Sequence, residues 1–142
     1  MLVKIKKLKD SAVIPAYAKP GDAGMDLTAT SLHYDDYGNN VYGTGLAMEI
    51  PEGYVGLVFL RSSNRKTEAY LTNHVGVIDS GYRGEIMISF KNRGKDNMHA
   101  PYKIGDRVAQ IIILPYPQIE FTEVNELSET ERGEGGHGST GA

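Results

Sequence analysis

Glycine and proline set the limits on what this chain can fold into. Seventeen Gly and six Pro punctuate 142 residues, and the longest apolar run, Val55-Gly-Leu-Val-Phe-Leu60, is six residues. A helix interior tolerates such punctuation poorly, since a glycine costs about 1 kcal/mol and a proline about 3 kcal/mol relative to alanine. Short strands joined by tight turns accommodate it well. Residues 2–8 begin in near-alternation of lysine and apolar side chains, which predicts a half-buried first strand. Further strands are expected over 24–29, 46–50, 54–60, 75–79, 85–91, 107–114 and 118–124. Pro51-Glu-Gly53 predicts a hairpin joining 46–50 to 54–60, and Tyr34-Asp-Asp-Tyr-Gly-Asn-Asn40 is turn chemistry. Only 61–73 holds a group of helix formers, enough for about two turns. The pattern predicts an all-β sandwich or barrel with at most one short helix.

Apolar residues at 40% and charged residues at 23% suit one folded domain, expected over 1–127. Residues 128–142 lack an apolar period and carry five glycines in their last ten positions, so they are expected to form a flexible arm. A net charge of −3 argues against a nucleic-acid partner, and no apolar run approaches a membrane span. The absence of cysteine removes disulfides, thiolate metal sites and a cysteine nucleophile together. Lys4, Lys6, Lys7 and Lys9 interrupt the N-terminal segment, which therefore has no secretory-signal core; a cytoplasmic protein is expected.

Four segments carry chemistry. Arg132-Gly-Glu-Gly-Gly-His-Gly-Ser-Thr-Gly141 combines glycines, whose amides can turn inward around an anion, with a guanidinium and two hydroxyls. Alone, it reads rather as a solvated glycine-rich terminus. Arg61-Ser62-Ser63 puts a cation and hydroxyls at a strand end, a second anion site or an ordinary cap. Val77-Ile-Asp-Ser-Gly-Tyr-Arg-Gly84 holds Asp79 directly after an apolar strand, where a carboxylate can orient water and take its proton, or simply make a turn. Gly105-Asp-Arg-Val-Ala-Gln110 ends in an amide among apolar residues, which needs partners. Asp106 and Arg107 can pair with each other.

Taken in order, these segments resemble the motifs of the trimeric deoxyuridine triphosphatases. Ala23-Gly-Met-Asp-Leu27 resembles the first motif, Arg61-Ser-Ser63 the second, and Gly76-Val-Ile-Asp-Ser-Gly-Tyr-Arg-Gly-Glu85 the third. Gly105–Gln110 and Arg132–Gly141 resemble the fourth and fifth. The resemblance implies a distorted jelly-roll and a homotrimer whose sites each draw on all three subunits, the glycine arm of one closing over a site formed by the others. It implies hydrolysis of dUTP to dUMP and pyrophosphate, which supplies dUMP for thymidylate synthesis and keeps uracil out of DNA. Asp79 would be the general base. Arg61, Ser62, Ser63, Gln110, Arg132, Gly138, Ser139 and Thr140 would hold the phosphates, with Mg²⁺ on the triphosphate touched by Asp26 through water. Asn73, Val77, Ile78 and Met87 would read uracil along a hairpin of the third motif, Tyr82 would underlie the deoxyribose, and His137 would stack on the base.

Two positions depart from the family pattern. His137 stands where the family carries phenylalanine, and Ser63 where its second motif usually has glycine. Ser63 brings the chain nearer to the dCTP deaminases, which share the fold. Those enzymes need a carboxylate beside the base, and the corresponding residue here is Ser89. A non-catalytic binding protein on the same fold is the other alternative; residues 32–42, rich in Tyr, Asp and Asn, are where protein contacts are expected.

Overall fold

The computed structural model describes residues 1–94 and 99–141; Ala142, the last residue of the expected arm, lies outside them. Among the described residues, ten strands form three antiparallel sheets. β1 (Lys4–Lys7) pairs with β5 (Leu46–Glu49). A second sheet runs β2 (Met25–Thr28), β10 (Arg107–Pro115), β6 (Tyr54–Phe59), β8 (Gly76–Ile78). The third runs β3 (Ser31–Tyr34), β4 (Asn40–Gly43), β9 (Met87–Asn92), β7 (Ala69–Leu71). One 3₁₀ turn, Ser62–Lys66, is the helical content of the described residues. The expected all-β architecture holds.

The core lies between the two larger sheets. Leu27, Val108, Ala109 and Ile111 meet Tyr42, Ile88 and Phe90, all but closed to solvent. Tyr42, Phe90 and Tyr102 form an edge-and-tilt aromatic cluster with ring centroids 5.4–6.2 Å apart. The buried Tyr42 hydroxyl donates to the Tyr102 carbonyl at 2.7 Å and accepts from the Tyr102 amide at 2.9 Å. Tyr102 in turn donates to Asn64 Oδ1 at 2.7 Å, and Asn64 Nδ2 donates to the Ala69 carbonyl at 2.7 Å. The core therefore fixes the turn that follows Arg61.

Burial raises the Tyr42 hydroxyl from 10.0 to about 12. Because the folded state holds the proton more tightly, this stabilisation is complete below pH 10 and is lost as pH rises toward about 12. Alkaline titration followed by tyrosinate absorbance and melting temperature is expected to show unfolding in that window. Tyr42→Phe is expected to cost about 1–3 kcal/mol in chemical denaturation, because two backbone groups of Tyr102 lose their partner.

Four expectations are corrected. Residues 46–50 and 54–60 do not pair, although the turn between them forms, with Tyr54 N donating to Pro51 O at 3.1 Å. β10 and β8 occupy both edges of β6, and β1 takes β5. Residues 61–73 make one short 3₁₀ turn and then β7, because Ala69–Leu71 find a ladder against β9. Residues 118–124 form no strand; they find no sheet edge within the chain, and Ile119, Phe121 and Val124 lie exposed. The third motif is no hairpin either: β8 pairs with β6 and β9 with β4 and β7, so Asp79–Ile86 crosses from one sheet to the other.

Candidate active site

Side-by-side strands bring three of the motifs together. In the β2–β10–β6 ladder, Gln110 lies opposite both Asp26 and Phe59, two residues before Arg61. Asp26 accepts from Arg61 Nε at 2.6 Å and Nη2 at 3.3 Å, a two-pronged fork, and from Arg107 Nη1 at 3.2 Å. Arg61 Nη1 donates to Ser63 Oγ at 3.2 Å. Three of the five guanidinium N–H groups are thus engaged, which leaves two for a ligand. Ser63 braces Arg61, which a glycine there could not do.

Gln110 Nε2 donates to the Leu60 carbonyl at 2.8 Å. This turns its carbonyl oxygen toward Gly24, where an added Cβ would collide with Oε1. Gly24 is thereby required for contact rather than for conformation. Gly24→Ala is expected to displace only the flexible end of Gln110. Its melting temperature should stay within a few degrees, while kcat/KM in a steady-state assay falls about tenfold. Asp22, Gly24, Asp26, Arg61, Ser62 and Gln110 line a recess of about 360 Å³, within the range of small-ligand sites.

Asp79 stands apart from this recess, exposed just after β8. Its carbonyl accepts from Tyr82 N at 3.1 Å, closing a turn. The Tyr82 hydroxyl donates to Glu85 O at 2.9 Å, folding the ring over Gly84 so closely that a Cβ there would meet it. Asn73, Val77, Tyr82 and Met87 are exposed, and Ile78 is half-buried in β8. Neither Asp79 nor any of these lines the Arg61 recess.

The arm also lies apart, folded on itself. Arg132 Nε donates to Gly135 O at 2.9 Å, and turns close from Gly136 to Ser139 and from Gly138 to Gly141. Arg132, Gly138, Ser139 and Thr140 border a common hollow. His137, exposed, has φ +50°, a region where histidine is more at home than most bulky residues. Among the contacts that escaped sequence reading, Arg107 reaches Asp26 rather than Asp106, whose carboxylate accepts from Lys103 N at 2.8 Å. Only the β2–β10 register reveals it.

The chain matches the dUTPase family over residues 10–141. It belongs to that family. Among similar proteins is the deoxyuridine 5′-triphosphate nucleotidohydrolase of Nocardia farcinica, 39% identical over 98% of this chain and 85% of the relative. The dUTPase of Staphylococcus bacteriophage 80alpha, solved with dUPNHPP, superposes with a TM-score of 0.83 at 31% identity, covering 99% of both chains. A dUTPase of S. aureus phage phi11, described with a structural Mg(II) ion, superposes at TM-score 0.73 and 27% identity over 89% of this chain and 98% of its own. The segments that resemble the family's motifs fall on the recess, the Asp79 loop and the arm.

The metal chemistry follows from what these residues can offer. Among the described residues, no group of three or more His, Asp or Glu side chains is placed to hold an ion. Asp26 is already committed to two arginines. Asp22 and Asp26 are carboxylates lining the recess, oxygen donors of the kind Mg²⁺ takes.

Proposed function

We propose that this dUTPase hydrolyses dUTP to dUMP and pyrophosphate by in-line attack of water on the α-phosphorus. The observation that carries the reading is the Arg61 guanidinium, held flat by Asp26 and Ser63 with two N–H groups left beside Gln110. A fixed planar cation next to an amide is complementary to phosphate oxygens and offsets the charge that builds on them. Asp79 accepts the attacking water's proton while the bond to the bridging oxygen breaks and pyrophosphate leaves. Arg132, Ser62, Gly138, Ser139 and Thr140 complete the phosphate contacts. Asp26 would hold, through water, the Mg²⁺ carried on the triphosphate, which would offset phosphate charge.

Asn73, with backbone from Val77 to Asp79 and with Met87 nearby, reads uracil; Tyr82 lies under the deoxyribose, and His137 of the arm stacks on the base. The deaminase alternative is disfavoured because Ser89 stands at the position that needs a carboxylate, and a hydroxyl cannot relay protons to the ring.

The active unit in this reading is a homotrimer. It is supported by the separation of the recess from Asp79 and the arm, and by the exposed row Ile119, Phe121, Val124 and Leu127, which finds no cover within the chain. The arm of one copy then closes a site formed by the other two. No helix among the described residues is long and apolar enough to cross a membrane. The reading places the reaction in the cytoplasm, with neither membrane nor nucleic acid engaged.

Pyrophosphate release with Mg²⁺, compared across dUTP, dTTP, dCTP and UTP with the product bases identified, tests the reading. Release from dUTP alone is expected. Ammonia from dCTP would make the chain a deaminase, and silence on all four would leave a binding role. Light scattering is expected to give three times the 15.5 kDa chain mass.

A further inference from the structure

Asn73, proposed to read the base, sits on the crossover from β7 to β8, and that crossover is anchored from a distant turn. Thr72, the last residue before Asn73, donates its hydroxyl to Asn39 Oδ1 at 2.8 Å. Its amide donates to the Ser89 carbonyl at 2.9 Å, and its Oγ1 lies 3.4 Å from Ser89 Oγ. Asn39 belongs to the β3–β4 turn, 33 residues away in sequence, and its polar side chain is only 7% exposed. In the sheet order β3-β4-β9-β7, the Asn39–Thr72 bond spans the strand between β4 and β7.

Asn39 is itself clamped. Its amide and Nδ2 donate to the two carboxylate oxygens of Asp35 at 2.8 and 2.7 Å, and Tyr37 N adds a third bond at 3.0 Å. The Asn39 side-chain bond, with its backbone bond next, holds the Asp35 carboxyl below its ordinary range. With Nδ2 turned to Asp35, the Asn39 carbonyl oxygen has one orientation, toward Thr72. Beyond Thr72 the chain makes a tight reversal: Val75 N donates to Asn73 O at 2.7 Å across His74, whose φ is +64°. A reversal with a non-glycine residue in the left-handed region needs support on both sides. Val58 backs Gly76 on one side, and the Asn39–Thr72 bond supplies the other.

We infer that Asn39 is a positioning residue for recognition of the pyrimidine base: through the Thr72 hydroxyl it sets where the Asn73 amide is presented. The inference rests on the reading of Asn73 as the base contact. Asn39 touches no substrate and takes no part in the chemical step, so its loss is felt in KM and base discrimination rather than in kcat.

The test is steady-state kinetics on dUTP and dCTP for Asn39→Ala, Thr72→Val, Thr72→Ser and Asn73→Ala, with each of the first two also combined with Asn73→Ala. Asn39→Ala and Thr72→Val are each expected to raise KM for dUTP about five- to tenfold with kcat within twofold. Thr72→Ser, which keeps the hydroxyl, should behave as wild type. On the Asn73→Ala background neither change should raise KM further, because the group they position is gone.

If Asn73→Ala leaves KM unchanged, the base-reading assignment fails and this inference falls with it. If Asn73→Ala raises KM while Asn39→Ala and Thr72→Val do not, the assignment stands and the positioning role is refuted. Full additivity in the double variants would reduce Asn39 to a structural prop and overturn the inference. Should a buried variant fail to fold, Asp35→Asn on the turn carries the same comparison. Its expected rise of about threefold is likewise absent in the Asn73→Ala background.

Discussion

Asp79→Asn is expected to leave dUTP bound and unhydrolysed. The amide keeps the volume of the carboxylate and its place after β8, where the backbone carbonyl accepts from Tyr82 N. What disappears is the basicity of the carboxylate, since the amide oxygen accepts a hydrogen bond but not the attacking water's proton. General-base catalysis is worth about 10²–10⁴-fold, so kcat should fall by that factor with KM within a few-fold. Equilibrium binding of a non-hydrolysable dUTP analogue, alongside single-turnover pyrophosphate release, separates the two quantities. Turnover at the wild-type rate would sink the assignment of Asp79 as base.

Removal of residues 128–142 is the second large effect. No described residue after Pro115 belongs to a strand, so the truncation breaks no ladder bond, and the melting temperature should move by only a few degrees. The retained stretch through Leu127 still carries the exposed apolar row, so the assembly mass should remain threefold. Activity should nevertheless drop about a hundredfold or more, since Arg132 and the Ser139–Thr140 hydroxyls are lost from the phosphates and water is no longer excluded. Full activity in the truncated chain would refute the closing role of the arm. A fall in assembly mass would instead show that the arm helps to hold the subunits together.

The strand content was legible because glycine and proline act locally: they forbid long helices wherever they stand. The chemistry was legible for a similar reason. Arg61, Asp79, Gln110 and Arg132 each stand in a short run whose composition already limits its roles, and the five runs follow one another in a recognisable order. The misread elements share one cause. Whether 46–50 pairs with 54–60, whether 118–124 is a strand and whether the third motif is a hairpin all depend on which sheet edges are already taken. Periodicity carries no information about that.

By itself, then, the sequence determined the class of fold, the family and the residue types available for phosphate, proton and base. Those properties follow from side-chain chemistry and local backbone freedom, which each residue carries wherever it is placed. Only the tertiary structure decided that Asp26 forks Arg61 and also draws in Arg107, that Ser63 braces the guanidinium, and that Gly24 leaves room for Gln110. It alone decided that Asn39 reaches Thr72. Each of these contacts joins residues brought together by strand register or by a turn, and a distance across a sheet exists only once the sheets have formed.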